Sequence, residues 1–297
     1  MKFKRKFIAF FLTAFMLASS IIPTIPSNFA TPTANIENIY NIKIDNILNE
    51  LYKYFNTQII NTQRLMINLT TIEDSEILQK YFLDQNVTKY LYYSPFLLKF
   101  TNASIPPKEN FLPTTEFIKL SLTLKDTKEV VGQITIERSP PVIDYEPTIE
   151  LSYYIGSAYQ GKGYATEALL KINEILSKSK IKFAKARLNE KNIACKKLLE
   201  KLDAKQDKIY EQHNCIIERS KSNPDVLLIT DLGIEYLNGK EKSKITIDSK
   251  KGTLKKWRYK EKFTDDFVDY IDKNLSKKNK FLYTCKIRYY TLNLTKN

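Results

Sequence analysis

The sequence predicts an α+β fold, a sheet with helices packed on it, and three observations lead there. Phe117 to Leu124 and Val130 to Ile136 alternate apolar and polar side chains on either side of the polar turn Lys125-Asp126-Thr127-Lys128, the pattern of a β-hairpin. A further alternating run, Ile149 to Ile155, passes through Gly161 and Gly163 into apolar positions 165, 168, 169, 172, 175 and 176, so strand, glycine loop and helix follow in order. The chain has 297 residues, 43% hydrophobic and 27% charged, enough for an ordinary core, which excludes a disordered or collagen-like chain.

Taken from the N-terminus, residues 1–34 begin with the basic stretch Met1 to Lys6, continue through the apolar run Phe7 to Ile22 and end among Pro23, Pro26 and small residues. That order is the one of a secretory signal peptide, and the apolar run is short against the roughly 20 residues of a spanning helix. Two destinations remain open: an exported protein whose signal is removed, or a domain held at a membrane by an uncleaved anchor. Residues 35–60 carry Ile39, Ile42, Ile47, Leu48, Leu51 and Phe55 near helical spacing and predict an amphipathic lead-in helix. Arg64 to Leu69 alternates as a half-buried strand, and Thr71 with Asp74 then forms a capping box for a helix through about Phe82. A Pro-rich passage follows, with Pro95, Pro106, Pro107 and Pro113, before the hairpin. Residues 236–297 show a helix around Phe263 to Ile271 and a strand-like end, Phe281 to Tyr290, and read as a small basic C-terminal extension.

The charge and the rarer residues limit the chemistry. The formal charge of +14 is placed at the two ends: Lys2, Lys4, Arg5 and Lys6 stand at one, and residues 236–297 hold 17 basic against 7 acidic side chains at the other. Residues 7–235 balance at 26 of each sign, so a nucleic-acid or anionic-membrane partner concerns the extension, where Trp257 stands among Lys255, Lys256 and Arg258, but a solvated face is the preferred reading of that composition. Three cysteines and one histidine are too few and too scattered for a zinc site or a disulfide framework, and no metal is expected.

Gln160-Gly161-Lys162-Gly163-Tyr164-Ala165 is the segment that points to a ligand. Glycines let main-chain N–H groups converge, a helix N-terminus adds about half a positive charge, and a phosphate or diphosphate is the natural guest. The pattern is neither G-x-x-x-x-G-K-[ST] nor G-x-G-x-x-G, and a tight turn into a helix would look the same in isolation.

In its context the segment resembles the acyl-CoA signature Q/R-x-x-G-x-G/A of the GNAT N-acetyltransferases, matched by Gln160, Gly163 and Ala165. The blocks TQRLMINLTTIEDSEILQKYFLDQNVTKYL, ELSYYIGSAYQGKGYATEALL and NEKNIACKKLLEKLDAK are similar, in that order, to the ribosomal-protein N-terminal acetyltransferase (RimJ/RimL-like) branch. The resemblance covers residues 61–235, with Asp225-Val226-Leu227-Leu228 looking like that branch's last strand. It implies an α/β/α arrangement around a mixed, mostly antiparallel sheet.

The resemblance also implies an activity: acetyl transfer from acetyl-CoA to an amine, such as a protein N-terminus, by direct attack on the thioester. The pantetheine arm would bond main-chain groups of Tyr153, Tyr154 and Ile155. The diphosphate would rest on the N–H groups of Gly161, Lys162, Gly163, Tyr164 and Ala165, with Gln160 in the motif and the Thr166 hydroxyl as a further donor. Asn192 matches a residue that reaches the arm, and equally reads as the N-cap of the next helix. An amine of pKa about 8 to 10 is mostly protonated at neutral pH and needs a base, for which Glu150 is the candidate; a carboxylate paired with a surface lysine is the alternative. Leu199 stands where many relatives have a tyrosine, so the resemblance supplies no general acid, and Cys195 reads as a packed residue. Tyr90, Tyr92 and Tyr93 would wall the acceptor pocket, or pack in the core. Asp203-Ala204 replaces Gly-Phe after that helix, an unfavourable exchange if the helix ends in a left-handed residue. Two other readings stay open: a degenerate fold that binds CoA without chemistry, and an acetyltransferase for small amines.

Overall fold

A computed structural model describes residues 34–88, 90, 107–139, 146–238, 253–258 and 265–295; the N-terminal segment, Tyr92 and Tyr93 lie outside the described residues. Helix α1 (Ala34–Thr57) leads into β1 (Ile60–Asn61) and β2 (Leu65–Leu69), then α2 (Ile72–Leu83) and the single turn α3 (Gln85–Thr88). After a 3-10 turn at Lys108–Phe111 come β3 (Phe117–Leu124), β4 (Val130–Arg138) and β5 (Thr148–Ile155), then α4 (Tyr164–Ser177), β6 (Phe183–Asn189) and α5 (Ile193–Lys201). The chain closes with β7 (Lys205–Arg219), β8 (Val226–Asn238), β9 (Thr253–Arg258), α6 (Asp265–Leu275) and β10 (Lys280–Asn293). One ten-stranded sheet runs in the order β1-β2-β3-β4-β5-β6-β10-β7-β8-β9. Every pairing in it is antiparallel except β5 with β6. This is the mixed, mostly antiparallel sheet flanked by helices that the sequence leads one to expect.

The main core lies between one sheet face and helices α1 and α4. Leu65, Ile67, Leu120, Leu122, Ile134, Ile136, Ile149 and Ala184 meet Ile44, Leu48 and Phe55 of α1 and Ala168, Leu169, Ile172 and Leu176 of α4. Fully burying each large aliphatic contributes about 1.5–3 kcal/mol, so this face carries much of the fold. The buried stripe of α1 is Tyr40, Ile44, Ile47, Leu48, Leu51 and Phe55. Ile39 and Ile42, expected on that face, are 64% and 55% exposed, because Tyr40 turns inward and donates its hydroxyl to the Ser139 carbonyl at 2.6 Å. The capping box is present as read: Asp74 N–H donates to Thr71 Oγ1 and Thr71 N–H to Asp74 Oδ2.

The opposite face carries two groups of cover. Phe82 of α2 and Phe111 lie edge-on at 5.8 Å, and Phe82 meets Tyr154 of β5 at 6.4 Å. Farther along, Ile271 and Leu275 of α6 pack on Cys215, Ile217, Leu227, Ile229, Tyr283, Cys285 and Ile287. Ile287 is opposite Asn189 in the β10–β6 register, and directly paired residues share a face. Helix α6 therefore lies on the face that also carries Arg187, two residues before Asn189.

Asp225 to Leu228 leads into β8, and the strand-like end expected at Phe281 to Tyr290 is β10, which returns from beyond residue 279 and inserts between β6 and β7. Only Ile287 to Thr291 have strand neighbours on both sides; Lys280 to Lys286 pair with β7 alone. Among the described residues no helix is long and apolar enough to cross a membrane.

Candidate active site

Strands β5 and β6 part company in the middle of the sheet. Their parallel pairing holds only for Thr148, Ile149 and Glu150 against Phe183, Ala184 and Lys185. Beyond that point β5 stays paired with β4 as far as Ile155 opposite Gly132, while β6 stays paired with β10 through Ala186 to Asn189. Each strand is held from its outer side, and their inner edges face an opening.

Which main-chain groups line the opening follows from alternation along a strand. The Pro147 carbonyl accepts from Lys182 on the β6 side, whereas the Thr148 carbonyl and the Gly156 N–H serve β4. Tyr153 and Ile155, in phase with Pro147, turn their main-chain groups to the opening. Tyr154 does not: its carbonyl points at β4, only 2.3 Å from where a Cβ on Gly132 would sit. The expectation that Tyr154 offers its backbone to the pantetheine arm is corrected on this ground, since alternation gives that role to its two neighbours. Gln160 donates Nε2–H to the Ile155 carbonyl at 2.9 Å, so its side chain ties the loop to the end of β5.

The loop then reaches α4 through two left-handed glycines, Gly161 at φ 76° and Gly163 at φ 84°. Gly163 is the N-cap residue, and no side chain caps the helix. The N–H groups of Tyr164, Ala165 and Thr166 begin a helix and have no carbonyl one turn back to bond, which leaves them available to an anion. Gly161, Lys162 and Gly163 are exposed, and the Lys162 ammonium stands 5.4 Å from the Tyr159 ring. Thr166 is half-buried in the first turn.

Glu150 occupies the last position of β5 paired with β6, on the face opposite α4. Arg187 Nε donates to its Oε1 at 2.6 Å, and the two side chains retain only 9% and 10% of their exposure. The partner that the alternative reading made a surface lysine is thus an arginine from β6, 37 positions along the chain, where nothing local announces it. Lys185, opposite Glu150, is held below the usual lysine range by burial, against the pull of Asp207 and Glu150. Ser152, next on the same face, is exposed.

Asn192 is a true N-cap: its Oδ1 accepts from Cys195 N–H at 3.1 Å, which leaves its amide N–H groups for another partner. Burial pushes the Cys195 thiol up despite the Tyr153 hydroxyl beside it, as expected of a packed residue and not of a nucleophile. Burial likewise pushes the Tyr153 hydroxyl up. Leu199 is buried with Ala186, Leu188 and Tyr290. Tyr90 is half-buried in the turn after α3. Among the described residues no three His, Cys, Asp or Glu side chains are grouped to hold a metal ion.

A second group outside the sequence expectations is Thr62, Arg64 and Glu167. Glu167, in the first turn of α4, accepts at Oε1 from the Thr62 hydroxyl (2.6 Å) and the Arg64 N–H (2.7 Å), and at Oε2 from Arg64 Nε (2.7 Å). This fastens the start of β2 to the glycine loop. With 103 residues between Arg64 and Glu167, nothing local in the chain announces it.

The chain is similar to several known proteins. Residues 64–205 match the model of the acetyltransferase (GNAT) domain. An uncharacterized N-acetyltransferase, p20, of Bacillus licheniformis is 26% identical over 179 residues, covering 59% of this chain and 96% of that protein. Among solved structures, a GNAT-family acetyltransferase from Bacillus anthracis is 16% identical with a TM-score of 0.43, over 80% of this chain and 99% of that one. A ribosomal-protein-serine acetyltransferase structure from Vibrio cholerae is 20% identical with a TM-score of 0.39, over 52% of this chain and 87% of that one. Residues 64–205 thus resemble a GNAT acetyltransferase domain, and these matches support an enzyme of the acyl-CoA-dependent N-acetyltransferase class.

Proposed function

We propose that the protein transfers the acetyl group of acetyl-CoA to a primary amine, that of a protein N-terminus, in the manner of the ribosomal-protein N-terminal acetyltransferase branch. The observation that carries this is the opening between β5 and β6 leading to an uncapped helix N-terminus behind two left-handed glycines. An extended pantetheine arm fits such an opening as an added strand on the Tyr153 and Ile155 main chain, and the diphosphate fits the amides of α4.

Acetyl-CoA supplies an activated acyl carbon and a thiolate leaving group. The protein's part is to place the amine, take its proton and stabilise the charge that develops on the carbonyl oxygen, for which a strand N–H facing the opening is suited. Glu150 lies on the acceptor side of the sheet at the point where the strands part, and takes the proton directly or through one water. Its tie to Arg187 supports one rival reading: a carboxylate held by a buried guanidinium suits a fold that binds CoA without chemistry. Glu150→Gln separates the two. Turnover is expected to fall roughly 100-fold, within the range for loss of a general base, with CoA affinity kept. Unchanged turnover at neutral pH discards Glu150 as the base.

The defining experiment incubates the protein with acetyl-CoA and a panel of free N-terminal peptides and small amines, read by mass spectrometry. Acetylation confined to peptides supports the proposal; acetylation of small amines alone moves the acceptor class, and CoA binding without transfer establishes the binding module. The basic-apolar N-terminus supports action after export into another cell, or at the cytosolic side of a membrane, since the acetyl donor belongs to cytosol. Intact mass of the mature protein, with or without residues 1–34, decides between them. Contact of the basic C-terminal segment with nucleic acid or anionic lipid predicts affinity that falls steeply with salt.

A further inference from the structure

We propose that Arg64 is a further ligand-binding residue of this site, donating from its own guanidinium to the diphosphate; the inference rests on the glycine loop being the CoA site. A guanidinium is a rigid planar fork of five N–H donors. Two of its edges are already used to hold it: Nε donates to Glu167 at 2.7 Å and Nη1 to the Lys162 carbonyl at 2.9 Å. Its plane lies over the Tyr164 ring, 4.6 Å from the centroid. Strand, loop and helix all take part in aiming it.

The remaining nitrogen, Nη2, has no protein partner among the described residues. It stands 3.4 Å from the position a Cβ would take on Gly163, at the corner from which the free amides of α4 open. The Arg64 side chain is 42% exposed, so this corner is reachable from solvent. An ion pair serving only to fasten β2 to α4 needs Nε and Glu167 alone; it does not need Nη2 placed beside the left-handed glycine. Planar donors held in this manner suit phosphate oxygens better than a lysine ammonium does.

Glu167 gives the arrangement a second consequence. Burial works against its charge, but the Thr62 hydroxyl and the Arg64 N–H and guanidinium outweigh that and hold its carboxyl below the ordinary range. The carboxylate is therefore ionised at neutral pH, in the first turn of the helix whose amides would take the anion. Arg64 covers that negative charge, and without it the carboxylate would stand against the diphosphate.

The test is calorimetric titration of the full chain with CoA and with pantetheine, which lacks the diphosphate. Arg64→Met is expected to weaken CoA roughly 10- to 100-fold, the worth of a charged hydrogen bond, and to change pantetheine by less than about twofold. Equal CoA affinity in the variant overturns the inference, and so does equal weakening of CoA and pantetheine, which marks Arg64 as scaffold only. Arg64→Lys keeps the charge without the fork; it is expected to recover part of the affinity, and it decides by the same outcomes if Arg64→Met does not fold. A wild-type protein that binds no CoA is recognised before any variant is made, and removes the loop reading together with this inference.

Discussion

Gly163 has φ 84° and caps α4 with nothing but its backbone, so two costs meet in any replacement. A side chain there is strained, and a carboxylate there opposes the anion. Gly163→Asp is expected to abolish CoA binding in a titration while the fold persists, and retained affinity would take the loop out of the site. Lys119 offers a different kind of test. Burial lowers it from 10.5 to about 8, with Glu137 pulling the other way. The unfolded chain keeps the proton to about 10.5 and the folded chain only to about 8, so stability rises with pH across that window and is lost as pH falls through it. Lys119→Met is expected to flatten that rise relative to wild type and to gain up to about 3 kcal/mol at pH 7, read by denaturant unfolding at pH 7, 9 and 10. Parallel curves for the two proteins would show that burial of Lys119 costs nothing.

Elements were legible in proportion to how local their causes are. The α2 capping box is written within four residues, and the β3–β4 hairpin within one turn; both form where the chain alone places them. Helix α1 was legible as a helix, and Ile47, Leu48, Leu51 and Phe55 face the core as read; only its first turns differ, where a Ser139 carbonyl 99 residues away draws in Tyr40 and leaves Ile39 and Ile42 outside. The end of α5 shows the reverse: Asp203 takes the left-handed conformation at φ 58°, with the Ala204 N–H closing on the Leu199 carbonyl at 3.0 Å. The exchange of Gly for Asp has been absorbed as local strain, not as a change of fold. Asp203→Gly is expected to stabilise the protein by about 0.5–1 kcal/mol, a rise in midpoint that thermal unfolding will register.

The whole molecule depends on its C-terminal strand. β10 pairs with β6 on one side and β7 on the other, and its Leu292 and Leu294 belong to the main core while Tyr283, Cys285 and Ile287 belong to the core under α6. Removing residues 280–297 would leave two long edges unpaired and both cores open. The truncated chain is expected to lose cooperative unfolding and to aggregate, as circular dichroism and size-exclusion chromatography would show. A soluble, two-state truncation would mean that the fold stands without β10.

By itself the sequence determined the strands and helices around the glycine loop and the tight turn at Gly161 and Gly163 into α4. Each of these depends on neighbours within a few positions, where periodicity, glycine and capping act directly. Only the tertiary structure decided that β5 and β6 separate after Glu150, that the main chain of Tyr153 and Ile155 faces the opening while that of Tyr154 does not, that Arg187 holds Glu150, and that Arg64 reaches the loop. Those facts depend on strand register and on pairs of side chains 37 to 103 residues apart, for which the local pattern of the chain carries no signal.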